Sequence, residues 1–98
     1  MNIDPSQTVL TGRWVERQGR IVADQTCRRI DALVRINLVE IGRDASGWDV
    51  LYRDPSDGRL WELLYPQSEL HGGGPPQLRC VTIDDAKQKY GDLVDRIG

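Results

Sequence analysis

The sequence predicts an α+β fold: a small single domain with an antiparallel sheet of about four or five strands, a central three-stranded meander and two helices. Three observations point there. Two turn signals divide residues 37–66 into three β-rich runs. Apolar residues recur at helical spacing in two other segments. The chain has 98 residues, 39% apolar and 29% charged, which suits one soluble globular unit near the common domain size.

In chain order, residues 1–8 are polar, contain Pro5 and are expected to fray. "VLTGRWVE" (9–16) is rich in β-favouring residues and reads as a strand. The turn glycine in "RQGR" (17–20) lets Ile21 and Val22 pair back on it. Asp24 is placed to cap a helix over about 25–36, because a short carboxylate can accept from the first free amides. Cys27, Ile30 and Val34 form its apolar stripe, with Leu33 alongside. Arg28, Arg29 and Arg35 decorate the other sides and read as a solvated face, with an anion site as the alternative.

The meander follows from "NLVEIGRDASGWDVLYRDPSDGRLWELLYP" (37–66). Taking Asp44–Gly47 and Pro55–Gly58 as four-residue hairpin loops fixes a register. Arg43 is expected to face Trp48, Ile41 to face Val50, and Val39 to face Tyr52. Across the second turn, Tyr52 faces Trp61, Val50 faces Leu63 and Trp48 faces Tyr65. Both turns then put the bulky residues on one side of the sheet, beneath the first helix. A one-residue slip would scatter them. The opposite face carries Glu40, Gly42, Asp49, Leu51, Arg53, Leu60, Glu62 and Leu64. It reads as an ordinary solvated face, as one half-covered by the N-terminal strand, or as a docking surface of leucines framed by charges.

"SELHGGGPPQL" (68–78) holds three glycines, two prolines and the sole histidine. It is expected to carry the chain from the meander to a non-adjacent strand. "QLRCVTI" (77–83) is that strand. Thr82 and Asp85 resemble a weak capping box for a second helix, packed at a sheet edge or on the same side as the first. Gly91 either ends this helix or sits within it at a cost of about 1 kcal/mol.

The search for chemistry is short. A phosphate cradle opens a helix and ends in lysine and a hydroxyl residue; here prolines, which lack the N–H, follow the glycines. Cys27 and Cys80 lie outside any CxxC and read as buried free thiols. With one histidine they make no zinc spacing, so neither metal nor cofactor is expected. A net charge of −2 lacks the footprint of a duplex nucleic-acid binder, and no apolar run approaches membrane-spanning length. "MNIDPSQTVL" has neither a basic nor an apolar leader region, so a cytoplasmic location is expected. His71 with Glu69 or Glu62 is the acid–base arrangement that can be drawn around the histidine, while a carboxylate pair could be drawn from any two of the 15 acidic residues and is uninformative.

The segments "LTGRWV", "GRIVAD..C.RI", "SGW.VLYRDP.DGR.WEL.YP.SELHGGGPP.L" and "AK.KYG" together resemble the bacterial immunity protein 27 family over roughly residues 10–91. The run from Trp48 to Pro76 is the most distinctive part. The resemblance implies a protein encoded beside a polymorphic toxin, which binds the cognate toxin domain and blocks it without catalysis. Within the motif, the glycines and prolines shape turns and Trp48, Trp61 and Tyr65 fill the core face. On this reading the partner-binding candidates are Asp49, Leu51, Arg53, Glu62, Glu69 and His71. Their carboxylates would meet toxin lysines or arginines and speed encounter. The alternatives are a small hydrolase or transferase using His71 with Glu69 or Glu62, or a general adaptor.

Overall fold

A computed structural model describes residues 3–67 and 74–96, with Arg96 described by its backbone alone. Seven strands and two helices follow in order. They are β1 (Val9–Thr11), β2 (Trp14–Arg17), β3 (Arg20–Ala23), α1 (Gln25–Ala32), β4 (Val39–Arg43), β5 (Val50–Arg53), β6 (Leu60–Leu64), β7 (Gln77–Val81) and α2 (Ile83–Tyr90). A π-helical turn, Leu33–Asn37, extends α1, and a 3₁₀ segment, Gly91–Arg96, extends α2. The main sheet is antiparallel in the order β1-β7-β6-β5-β4, while β2 and β3 pair as a separate ribbon. The expected α+β fold is therefore present.

Local chemistry starts and stops the helices where expected. Asp24 Oδ1 accepts from the Cys27 amide at 2.9 Å, and Thr82 Oγ1 accepts from the Asp85 amide at 3.1 Å. Gly91, at φ 58°, ends α2, the left-handed turn a glycine makes without Cβ strain.

The sheet is covered on both faces. Val50 and Tyr52 of β5, Trp61 and Leu63 of β6 and Leu78 of β7 pack under Ile30 and Leu33 of the α1 segment. Leu51 and Leu60, which point the other way, pack under Ala86, Tyr90 and Val94 of the α2 segment. This corrects the placement of the second helix. It lies neither at an edge nor beside α1; it roofs the mixed face that the sequence leaves open. Leu51 and Glu62 are consequently buried, at 0% and 1% exposure.

Other expectations change with it. The second hairpin has the predicted register, Val50 opposite Leu63 and Tyr52 opposite Trp61. The first does not. Its turn closes one residue later, with the Asp44 amide donating to Asp49 O at 3.0 Å, so Arg43 stands opposite Val50. A bulge between Glu40 and Gly42 then reverses the alternation and puts Glu40 opposite Tyr52. Ile41 turns to the α2 side, Val39 is exposed, and Trp48 is 68% exposed instead of facing Tyr65. A Cβ on Gly42 would lie 2.6 Å from Leu93 Cδ1, so the bare backbone lets the 3₁₀ segment approach β4 closely.

The single strand expected over 9–16 breaks at Gly12, whose amide donates to Pro76 O at 2.8 Å. A Cβ on Gly12 would meet Cys27 Sγ at 2.6 Å and Pro76 O at 2.8 Å. β7 lies beside β6, so the connection after the meander reaches an adjacent strand. Within the segment expected to fray, residues 3–8 are tied to the fold. Ile3 is buried in the α1-side core, and the Arg59 guanidinium donates to Gln7 O at 2.7 Å and Asp4 O at 3.3 Å. Cys27 is buried and Cys80 partly so, and both are free thiols.

Candidate functional site

The most polar place in the interior centres on Glu62, in the middle of β6. The pleat aims its side chain at α2, where the sequence supplies Lys89 and Tyr90 on adjacent positions. Arg79 stands opposite it on β7. Arg79 Nε and Nη2 both reach Glu62 Oε1 at 2.9 Å. The Tyr90 hydroxyl donates to Oε2 at 2.7 Å and Lys89 Nζ lies 2.6 Å from the same oxygen. Lys89 Nζ also donates to Asp49 Oδ2 at 2.7 Å. Two carboxylates thus face two cations, and four donors fill the four lone-pair directions of Glu62.

The electrostatics follow from this geometry. Burial alone would push the Glu62 carboxyl up; the bonds from Lys89, Tyr90 and Arg79 together outweigh it and hold the carboxyl below its usual range. Burial would lower Lys89, and its bonds to Asp49 and Glu62 raise it instead. Burial first, then the bond to Glu62, push the Tyr90 hydroxyl far above a phenol's ordinary value. Glu62 is therefore an ionised carboxylate with every acceptor site occupied. A general base needs a free lone pair toward substrate, and here taking a proton would break a bond already made. The cluster is a buttress between sheet and helix.

The solvent-facing features collect elsewhere. Register places Val50, Leu63, Leu78 and Leu10 in one row across the sheet. The residues just beyond that row share one end: Trp48 and Asp49, Tyr65 to Gln67, Gly74 to Pro76, and Gly12. Strands β5 and β1 stand about 14 Å apart there, three strand spacings. The β4–β5 turn is closed by its own hydrogen bonds. Asp44 Oδ1 accepts from the Gly47 amide at 3.1 Å, and the Trp48 amide donates to Ser46 Oγ at 3.2 Å. It presents Trp48 to water beside Asp49. At the other side of this end, Thr11, Gly12, Arg13, Trp14, Gln67 and Pro75 line an open cleft of about 460 Å³.

Of the six partner-binding candidates, the structure brings Asp49 to this end. The loop that bears Glu69 and His71 lies outside the described residues; its flanks, Gln67 and Gly74, are at the same end and in close contact, since a Cβ on Gly74 would overlap Gln67 O. Arg53 sits at the opposite end, across from Leu60 and Val39. Leu51 and Glu62 lie beneath α2 and support the surface from below. Glu62 was expected at an exposed cross-strand position, and the roofing helix is why it is not. Sequence reading missed Lys89, Tyr90 and Arg79 as its partners and Trp48 as a surface residue. The bracketing pair Asp44 and Asp49 was the available signal for the latter.

Among the described residues, no three His, Cys, Asp or Glu side chains converge as a metal site would require, and no helix is long and apolar enough to cross a membrane. Among curated proteins and among solved structures, nothing matches the chain. A family model does match: that of Immunity protein 27, over residues 16–82, which is more than half of the chain and takes in the ribbon from Glu16 onward, α1, the meander and β7. The chain belongs to the Immunity protein 27 family.

Proposed function

We propose that this protein binds a cognate polymorphic-toxin domain, the product of an adjacent gene, and neutralises it in the cytoplasm of the producing cell by surface complementarity alone. Membership in the family carries the reading. Two features support it. The best-placed carboxylate for catalysis, Glu62, has no acceptor site to spare. A tryptophan that the fold does not need for its core is held in water on a hydrogen-bonded turn. Exposed aromatic side chains with little freedom to lose are the usual anchors of protein interfaces. The two free thiols fit a reducing compartment.

The contact surface in this reading is the end of the sheet that holds Trp48 and Asp49, together with the loop bearing Glu69 and His71. A stable complex would bury about 800 Å² on each partner. The experiment is to express the toxin domain with and without this chain and to assay both growth and co-purification. Protection with a stable complex is expected. A toxin that kills equally well in the presence of this chain ends the proposal. Turnover of any substrate that is lost in His71→Ala without loss of folding would favour a hydrolase or transferase instead.

A further inference from the structure

The stretch 13–35 is charged against the rest of the chain. Six arginines and three acidic residues give it a net charge of +3, while the whole chain carries −2. The fold turns this stretch into a groove. Arg17 and Ala23 of the β2–β3 ribbon and Gln25, Thr26, Arg28 and Arg29 of α1 line an open space of about 700 Å³. Arg29 donates to Gln7 Oε1 at 3.0 Å, which anchors it. Arg17 and Arg28 make no ion pair among the described residues, although acids are near in sequence. Asp31 pairs with Arg35 instead, and Asp24 Oδ1 is engaged with the Cys27 amide.

The ribbon beside the groove is unusual in another way. It belongs to no larger sheet, and two strands alone are marginal in water. Trp14 pairs with Ala23 and Glu16 with Ile21, so Trp14 and Ile21 share one face. They are 37% and 65% exposed. Arg17 and Arg20 alternate to the other face of the ribbon, so the two exposed apolar side chains lie on the face opposite Arg17.

Resting on the immunity reading above, we infer that this groove receives an acidic segment of the toxin domain, with toxin carboxylates on Arg17 and Arg28. Arginine's planar fork suits carboxylates at close range. Nucleic acid has the same sign of charge, but a backbone contact long enough to matter needs a basic surface that continues, and this chain turns acidic beyond residue 35.

The test uses the full chain and the toxin domain from the adjacent gene, with affinity measured at low and at physiological salt. The variant Arg17→Glu/Arg28→Glu removes the groove's unpaired cations; both side chains are outside the core, so a native melting curve is expected. Arg35→Glu, further along the same helical segment, is the control, matched in charge to Arg17→Glu and Arg28→Glu measured singly. The inference holds if the double variant weakens binding at least about tenfold, with a shallower salt dependence, while the control stays within about twofold. Equal weakening by the control, or none by the double variant, overturns the groove and leaves the immunity reading standing. A wild-type chain that does not bind the toxin domain takes both down. Binding of a short oligonucleotide through the same two arginines would replace the protein partner with a nucleic acid.

Discussion

The Tyr90 hydroxyl donates to Glu62 Oε2 over 2.7 Å, and both side chains are buried. This bond joins the last turn of α2 to the central strand of the sheet. Around it, the partly exposed Lys89 and Arg79 supply the charge that a buried carboxylate needs. The sheet thereby keeps a polar group at the point where a helix roofs it, a position otherwise suited to leucine.

Removing the hydroxyl tests the bond directly. Tyr90→Phe is expected to cost about 1.5–3 kcal/mol, the range for hydrogen bonds to ionised groups. Glu62→Gln is expected to cost about 2–3 kcal/mol. That is less than for a fully sealed pair, since Lys89 and Arg79 can turn to water. The double variant should lose at least about 1 kcal/mol less than the sum. Urea denaturation of the four proteins measures the coupling.

Acid should weaken the fold through the same residue. The folded Glu62 carboxyl titrates below its unfolded value, which is near 4.3. Between the two values the unfolded chain binds a proton and the folded chain does not, so stability rises with pH in that window. Glu62's contribution is thus complete above about pH 5 and is lost as pH falls through the folded value. Glu62→Gln is expected to flatten the stability profile below about pH 5. A profile as steep as the wild type's would assign acid sensitivity to other carboxylates, such as Asp24 or Asp57, which are also lowered.

Much of this architecture is legible in the residues, and the failures have physical causes. The second hairpin is readable because the loop Pro55–Gly58 is bracketed by Asp54 and Arg59, which close it, and because Tyr52, Trp61, Val50 and Leu63 all need the same face. Asp24 and Thr82 declare their helices by local chemistry. The first hairpin is misread because Ala45 to Trp48 form the loop and a bulge follows, and a bulge changes alternation without leaving a compositional mark. The position of α2 is tertiary information. Leu51 and Leu60 look like scattered surface leucines until Ala86, Tyr90 and Val94 are laid over them. The candidate site inherits that error: a face that alternates charge and leucine suits a docking surface and a polar buttress equally well in sequence.

Arg59 is expected to hold the N-terminal segment in place. Its guanidinium lies 4.8 Å from the Trp61 ring centroid while donating to the Gln7 and Asp4 carbonyls, and its Nε pairs with Asp57 at 2.7 Å. Arg59→Ala should cost about 1–3 kcal/mol and release residues 3–8. Arg59→Lys should recover only part of the loss, because an ammonium cannot reproduce the fork. Amide exchange would report it: the Gln7 amide, bonded to Asp4 O at 2.9 Å, loses protection, while that of Leu63 in the central strand does not.

Trp48 and Trp61 provide the sharpest separation of fold from function. Trp61 is fully buried, and Trp61→Ala should cost about 3–5 kcal/mol, enough to unfold a marginal domain. Trp48 is mostly in water, so Trp48→Ala should change stability by no more than about 0.5 kcal/mol. Binding of the toxin domain is expected to move the opposite way from stability. Trp48→Ala, though folded, should lose at least about tenfold in affinity, as removal of an interface anchor does. Asp49→Asn complicates a purely surface reading, because Asp49 also holds Lys89; its effect on stability must be subtracted before its effect on binding is read. A folded Trp48→Ala protein that binds the toxin domain as tightly as the wild type would remove the β4–β5 turn from the contact surface. The ribbon, the groove and the loop between Gln67 and Gly74 would then have to carry the interface.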